Sequence, residues 1–144
     1  SSAMAEIEQV APGLFTADAG GRGLASAVVF RVKANGEQSY EPVAVFDNGQ
    51  GKMVPVAIDP GPQGDQVFLL FYGTGFRNNS GMNNVSAQLG GSSVQVSFAG
   101  AQGSFAGLDQ ANVLLPRSLA GRGEVNLVLT VDGKTANTVK LWVK

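Results

Sequence analysis

VNLVLTVDGKTANTVKLWV, residues 125–143, is the stretch that decides the fold. Val125, Leu127, Leu129 and Val131 take every second position, and Val139, Leu141 and Val143 do the same after the turn signal Asp132-Gly133. A period of two marks a strand with one face buried and one wet. The pairing of the two runs constrains the turn between them. A two-residue turn sets Val131 opposite Lys134 and Leu127 opposite Thr138, laying an apolar face beside a polar one. A three-residue loop with a glycine bulge pairs Leu127 with Val139 and Val125 with Leu141, so the odd-numbered loop is predicted.

The same alternation recurs outward from this hairpin. Val28, Phe30 and Val32 alternate with Val29, Arg31 and Lys33, and Val54, Val56 and Ile58 with Met53, Pro55 and Ala57. Val85, Ala87 and Leu89 form another apolar set, and Val94, Val96 and Phe98 a further one. Val67 to Tyr72 is apolar at every position, which predicts a central strand covered on both faces; between Gly64 and Gly73 it is too short for a helix. No longer run carries a helical stripe, and the one helical turn expected lies near Gly107 to Gln110. Gly, Asn and Asp clusters punctuate the runs at Asn35-Gly36, Asp47-Asn48-Gly49, Asp59-Pro60-Gly61, Gly90-Gly91 and Gly121-Arg122-Gly123. Many short strands without crossover helices make an all-β sandwich or barrel.

A chain of 144 residues fits one domain, and one of that size buries about 68–70% of its unfolded surface without metal or disulfide staples. Residues 1–144 therefore read as a single domain. Ser1 to Met4 look like a cloning remnant, residues 5–60 form an N-terminal strand and hairpin region, and 65–144 form the sandwich portion. The stiff DPGPQGD segment at 59–65 lies between the last two. Net charge is −1 with Lys and Arg scattered singly, which argues against a nucleic-acid partner, since that needs a concentrated basic face. No apolar stretch reaches the roughly 18 residues of a membrane-spanning helix, so no membrane insertion is expected.

The absence of His and Cys excludes Ser-His-Asp and Cys-His nucleophiles and the usual ligands of zinc, haem and iron–sulfur clusters. Gly133-Lys134-Thr135 fails as a phosphate loop because Val128 stands where the first Gly belongs. Gly21-Arg22-Gly23 and Gly73-Thr74-Gly75 are fragments of a dinucleotide fingerprint, and neither opens a helix. Asp109 precedes the expected strand Ala111 to Leu115, and its plain reading is a carboxylate accepting backbone N–H bonds. Asp47, Asn48 and Gln50 offer calcium-type oxygens without the rest of a calcium loop, so a solvated turn is the better reading. No catalytic residue, cofactor or metal site is assigned. Trp142 sits on the face opposite Leu141 and Val143, and the Asn-rich loop around Arg77, Asn78, Asn79 and Asn83 has the composition of a surface contact. Tyr40 and Tyr72 are the remaining large polar rings, too few for an evident sugar platform.

APGLFT at 11–16, FYGTGF at 71–76, LGG at 89–91, FAGAQGSFAGLDQANVLLP at 98–116, AGRGEV at 120–125 and TVDGKTANTV at 130–139 together resemble the Solibacter-type uncharacterised C-terminal domain of secreted acidobacterial proteins. From FYGTGF onward the chain is also similar to IPT/TIG-type immunoglobulin-like domains. The resemblance implies a bacterial, immunoglobulin-like β-sandwich, with an additional N-terminal β-hairpin region, that is secreted or held at the cell surface. It brings no catalytic residues. The expectation is a non-catalytic accessory or interaction module at the C-terminus of a larger protein, contacting that protein's other domains or an extracellular protein or glycan. The alternative is a carbohydrate-binding module using Trp142 and the 77–84 loop.

Overall fold

Val67, Leu69 and Phe71 alternate with Phe68, Leu70 and Tyr72 along one nine-residue strand, Gln66–Thr74, and the molecule is built around it. The computed structural model describes residues 10–144; the expected remnant at Ser1 to Met4 and the first residues of the 5–60 region lie outside them. The strands in chain order are β1 (Gly13–Leu14), β2 (Ala27–Val32), β3 (Gln38–Pro42), β4 (Ala44–Asp47), β5 (Lys52–Pro55), β6 (Gln66–Thr74), β7 (Val85–Leu89), β8 (Ser92–Val94), β9 (Val96–Ala101), β10 (Asp109–Leu114), β11 (Gly123–Val131), β12 (Lys134–Thr135) and β13 (Val139–Val143). Two single 3₁₀ turns, at Met82–Asn84 and Arg117–Leu119, are the helical pieces of the described chain. The helical turn expected near Gly107 to Gln110 is absent, because Asp109 and Gln110 already pair as strand with Gly73 and Tyr72.

The first sheet runs β3-β2-β6-β10-β9, with β1 alongside the end of β6. In the second, β11 lies between β7-β8 on one side and β13 and β12 on the other. Every named pair is antiparallel. The orders β2-β6-β10-β9 and β13-β11-β7-β8 follow the immunoglobulin pattern, A-B-E-D facing G-F-C-C′. The fold is an all-β, immunoglobulin-like sandwich. Residues 27–42 belong to it, since β2 and β3 complete the first sheet; among the described residues only β4–β5 forms a separate two-stranded ribbon. Val29, Leu69, Phe71 and Val113 from the first sheet face Leu89, Leu127, Leu129 and Leu141 from the second, all fully buried.

The final hairpin corrects the predicted loop. Val131 lies opposite Lys134, so the turn has two residues. Asp132 and Gly133 both take positive φ, 50° and 79°, as a type I′ turn requires. Yet Leu127 pairs with Val139 and Val125 with Leu141, as expected. The one-residue slip is taken up between Thr135 and Val139 instead. Ala136 supplies a small buried residue there, and Lys134 reaches the rim, where Nζ donates to the Val10 carbonyl at 3.2 Å. Asn137 leaves the ladder to serve β1. Its Oδ1 accepts from Leu14 N–H at 2.7 Å, and its Nδ2 donates to the carbonyls of Leu14 and Gly21, each at 2.9 Å.

Two further expectations change. Val94, Val96 and Phe98 do not share a face. The chain passes from the second sheet to the first at Gln95, and the register between β9 and β10 shifts at Asn112 and Val113. Ala99 is therefore buried while Phe98 is exposed. On β2, Val29 and Arg31 point inward and Val28, Phe30 and Val32 outward, in register with Leu70, Phe68 and Gln66.

The DPGPQGD segment is pinned to the sandwich. Arg117 donates to the carbonyls of Pro60, Gly61 and Pro62, and Arg31 donates to Asp59 O at 2.6 Å.

Candidate functional site

Buried charge in this molecule is matched internally. Arg31, 6% exposed, makes a two-pronged pair with Glu41 at 2.7 and 3.0 Å and reaches Asp65 at 3.5 Å. The Arg31 guanidinium holds the Glu41 carboxyl below its ordinary range, against the opposing effect of burial. Asp109, 1% exposed, accepts from the backbone N–H groups of Phe76 and Arg77 at 2.9 and 3.0 Å and from Arg77 Nε at 2.6 Å. It is a backbone-binding carboxylate, as read from the sequence, but its partners come from the turn after β6. Among the described residues no buried side-chain nitrogen or oxygen lacks a partner, and no group of three acids or other ligands is placed to hold a metal ion. Asp47 closes its own turn by accepting from Gly49, Gln50 N and Gln50 Nε2.

The predicted contact residues do not come together. Arg77 is committed to Asp109 and to the Leu108 carbonyl. Asn79 Nδ2 donates to the carbonyls of Phe76 and Ala99. Asn78 and Asn83 are exposed. The loop is tied to the other end of the last hairpin, where Ser80 N–H and Oγ bond Asp132. Trp142 stands opposite Glu124 at the start of β11. Eight residues of strand separate these levels, roughly 26 Å at ~3.3 Å per residue. Trp142 is 42% exposed and its ring covers Gly123, 3.6 Å from where a Cβ would stand, a common way for an aromatic to shield a strand glycine.

A different surface gathers the rings. On the outward side of the first sheet Tyr40 pairs with Phe30, and Phe30 with Phe68. Their ring centroids are 5.0 and 6.3 Å apart, tilted by 35° and 33°. Leu70 pairs with Asn112, Tyr72 with Gln110, and Asn112 with Phe98 across the next strands. Tyr40 is 69% and Phe98 40% exposed. Burial raises the Tyr72 phenol above its ordinary pKa. Phe30, Tyr40, Phe68, Leu70, Ser97, Gln110 and Asn112 line an open trough of about 310 Å³. Gln110 Nε2 donates to Asn112 Oδ1 at 2.7 Å, which leaves the Asn112 amide N–H and the Gln110 carbonyl for another partner. None of the outward positions on these five strands is Asp, Glu, Lys or Arg.

A larger hollow of about 490 Å³ lies between the β4–β5 ribbon and the 17–24 loop, lined by Leu24, Phe46 and Met53 with Asp18 and Lys52. Asp18 already accepts from Gly20 N–H and Thr16 Oγ1, so this hollow is chemically the poorer site. No protein-family model, curated protein or solved structure matches the chain, and the ring-lined face is identified by its geometry alone. The signal for it in the sequence was the unbroken apolar run Val67 to Tyr72. That run implied a cover on both faces; the second sheet covers one.

Proposed function

We propose that the chain is a non-catalytic contact module of a larger secreted or surface protein, and that the outward face of the β3-β2-β6-β10-β9 sheet is its contact surface. The observation that carries this reading is a central strand, β6, whose outward residues Phe68, Leu70 and Tyr72, half-buried or buried, join the exposed rings of Tyr40 and Phe98 into one apolar face that no other strand of the described chain covers. Exposed contiguous apolar patches of this kind mark interaction sites. The matched state of Arg31 and Asp109 supports the non-catalytic part, because neither buried charge is left to act on a substrate. The secreted or surface setting rests on the sequence resemblance.

Hydroxyl-radical footprinting tests the reading. Tyr40 and Phe98, the exposed rings of the face, are expected to label readily in the isolated chain and to be protected when the chain is part of the full-length protein on the producing cell. Equal labelling in both settings would reject this face as the contact surface.

A further inference from the structure

We infer that the occupant of the ring-lined face is a neutral polysaccharide chain, its sugars stacked on the Tyr40, Phe30 and Phe68 row and its hydroxyls bonded to the Gln110–Asn112 pair. This rests on the proposal that the face is the contact surface and names what it contacts. A sugar ring is amphipathic, with a C–H face on each side and hydroxyls around its rim, so a matching floor combines aromatic rings with neutral amides and hydroxyls. The trough has that composition. Rings on three neighbouring strands lie on one side of Leu70, and Gln110, Asn112 and Ser97 on the other. The Tyr40, Phe30 and Phe68 rings pack on one another at 5.0 and 6.3 Å, across the spacing of adjacent strands, and form one continuous apolar ledge with the exposed Tyr40 ring at its end, against which the C–H faces of a sugar chain can lie.

Charge selects among polymers. A face without a basic side chain does not suit an anionic glycan, a nucleic acid or an acidic lipid surface, each of which is held through Lys and Arg. A dry protein cover fits less well than a glycan. It would bury the amide N–H of Asn112 and the carbonyl of Gln110 in mid-face, where any group left unmatched is penalised; a polyhydroxylated chain supplies partners along its whole length.

Native affinity electrophoresis of the chain through hydroxyethylcellulose, xylan, glucomannan and laminarin, with polygalacturonate as the charged control, tests this. Retardation by at least one neutral polymer and none by polygalacturonate is expected. Tyr40→Ala and Asn112→Ala are each expected to weaken the interaction about tenfold, with thermal unfolding confirming that the exposed Tyr40 position leaves the fold intact. Trp142→Ala, on the opposite sheet, is expected to change nothing. Failure of every neutral polymer to retard the chain overturns the inference, as does loss of binding in Trp142→Ala with Tyr40→Ala unaffected. A concentration-dependent dimer in sedimentation that Tyr40→Ala dissolves also overturns it, since the face then belongs to a second copy. Protection in the footprinting experiment without glycan binding leaves the contact surface standing and removes the glycan.

Discussion

Gly73 sits next to the end of the central strand β6, and a Cβ there would run into the carbonyl of Gly13 and stand 3.0 Å from the Phe76 ring. Gly75, at φ 81°, meets Ala11 in the same way. The two glycines of FYGTGF therefore exist to let the first strand lie against β6, where Ala11 N–H donates to Gly75 O at 2.8 Å. This disposes of the dinucleotide fragment at its own scale: the glycines face backbone, not pyrophosphate. Gly73→Ala is expected to destabilise the chain by about 1–3 kcal/mol through overpacking, read as a lower urea midpoint. An unchanged midpoint would mean that β1 can withdraw without loss. At the same scale Asp109 and Arg77 show what the sequence withheld. Leu108-Asp109 announced a backbone-binding carboxylate, but nothing local pointed to partners more than thirty residues away, since that proximity exists only once β10 pairs with β6.

At the level of elements, alternation tells that a strand has two faces and not which one looks inward. Val85–Leu89, Gly123–Val131 and Val139–Val143 bury the set expected because their opposite sets are mostly polar. On β2 both sets are largely apolar, and Arg31 reads as an outward residue. Its pairing with Glu41 and Asp65 at the rim reverses the strand, turning Phe30 and Val28 outward. The Val94 to Phe98 run failed for another reason: a strand that changes sheets has no single face. The last hairpin obeyed its turn chemistry and its apolar register together, by moving the bulge to 136–138. Asn137 is the side chain that this bulge releases, and it replaces a strand partner for Leu14. Asn137→Ala is expected to cost about 1–3 kcal/mol, because it leaves the Leu14 N–H and C=O unmatched in a partly buried place. Hydrogen exchange at Leu14 should accelerate well beyond that of β11; uniform exchange across both would count against the bridge.

For the molecule as a whole, the matched charges predict its response to acid. Glu41 has its pKa lowered first by the Arg31 hydrogen bond, Asp18 by the Gly20 N–H, and Asp47 by the Gln50 side chain. A carboxyl depressed in the folded state contributes its stability above its unfolded pKa and loses it as pH falls through the folded one. The thermal midpoint is therefore expected to be flat near neutral pH and to fall as the pH drops below the ordinary carboxylate range, about 4, and through the depressed pKa values of the folded state. Glu41→Gln should lower the neutral midpoint and flatten that fall, as a calorimetric pH series would show. An unaltered acid slope in the variant would remove Glu41 from the account. The same whole-molecule view explains the candidate site. Two sheets can cover only two of their four faces. The second sheet leaves out Glu124, Asn126, Thr130 and Lys140, a polar surface interrupted by Val128 and Trp142, whereas the first leaves out its rings.

Taken alone, the amino-acid sequence determined an all-β chain with a punctuated series of strands and, without His or Cys, no Ser-His-Asp or Cys-His nucleophile and no thiolate. Those are properties of composition and of neighbours two positions apart, so they are written locally. Which apolar face is buried, where the rings of Tyr40, Phe30 and Phe68 meet, and how far Trp142 lies from the Asn-rich loop were decided only by the tertiary structure. Each depends on register between strands distant in the chain, and register is a property of pairs that no single strand carries.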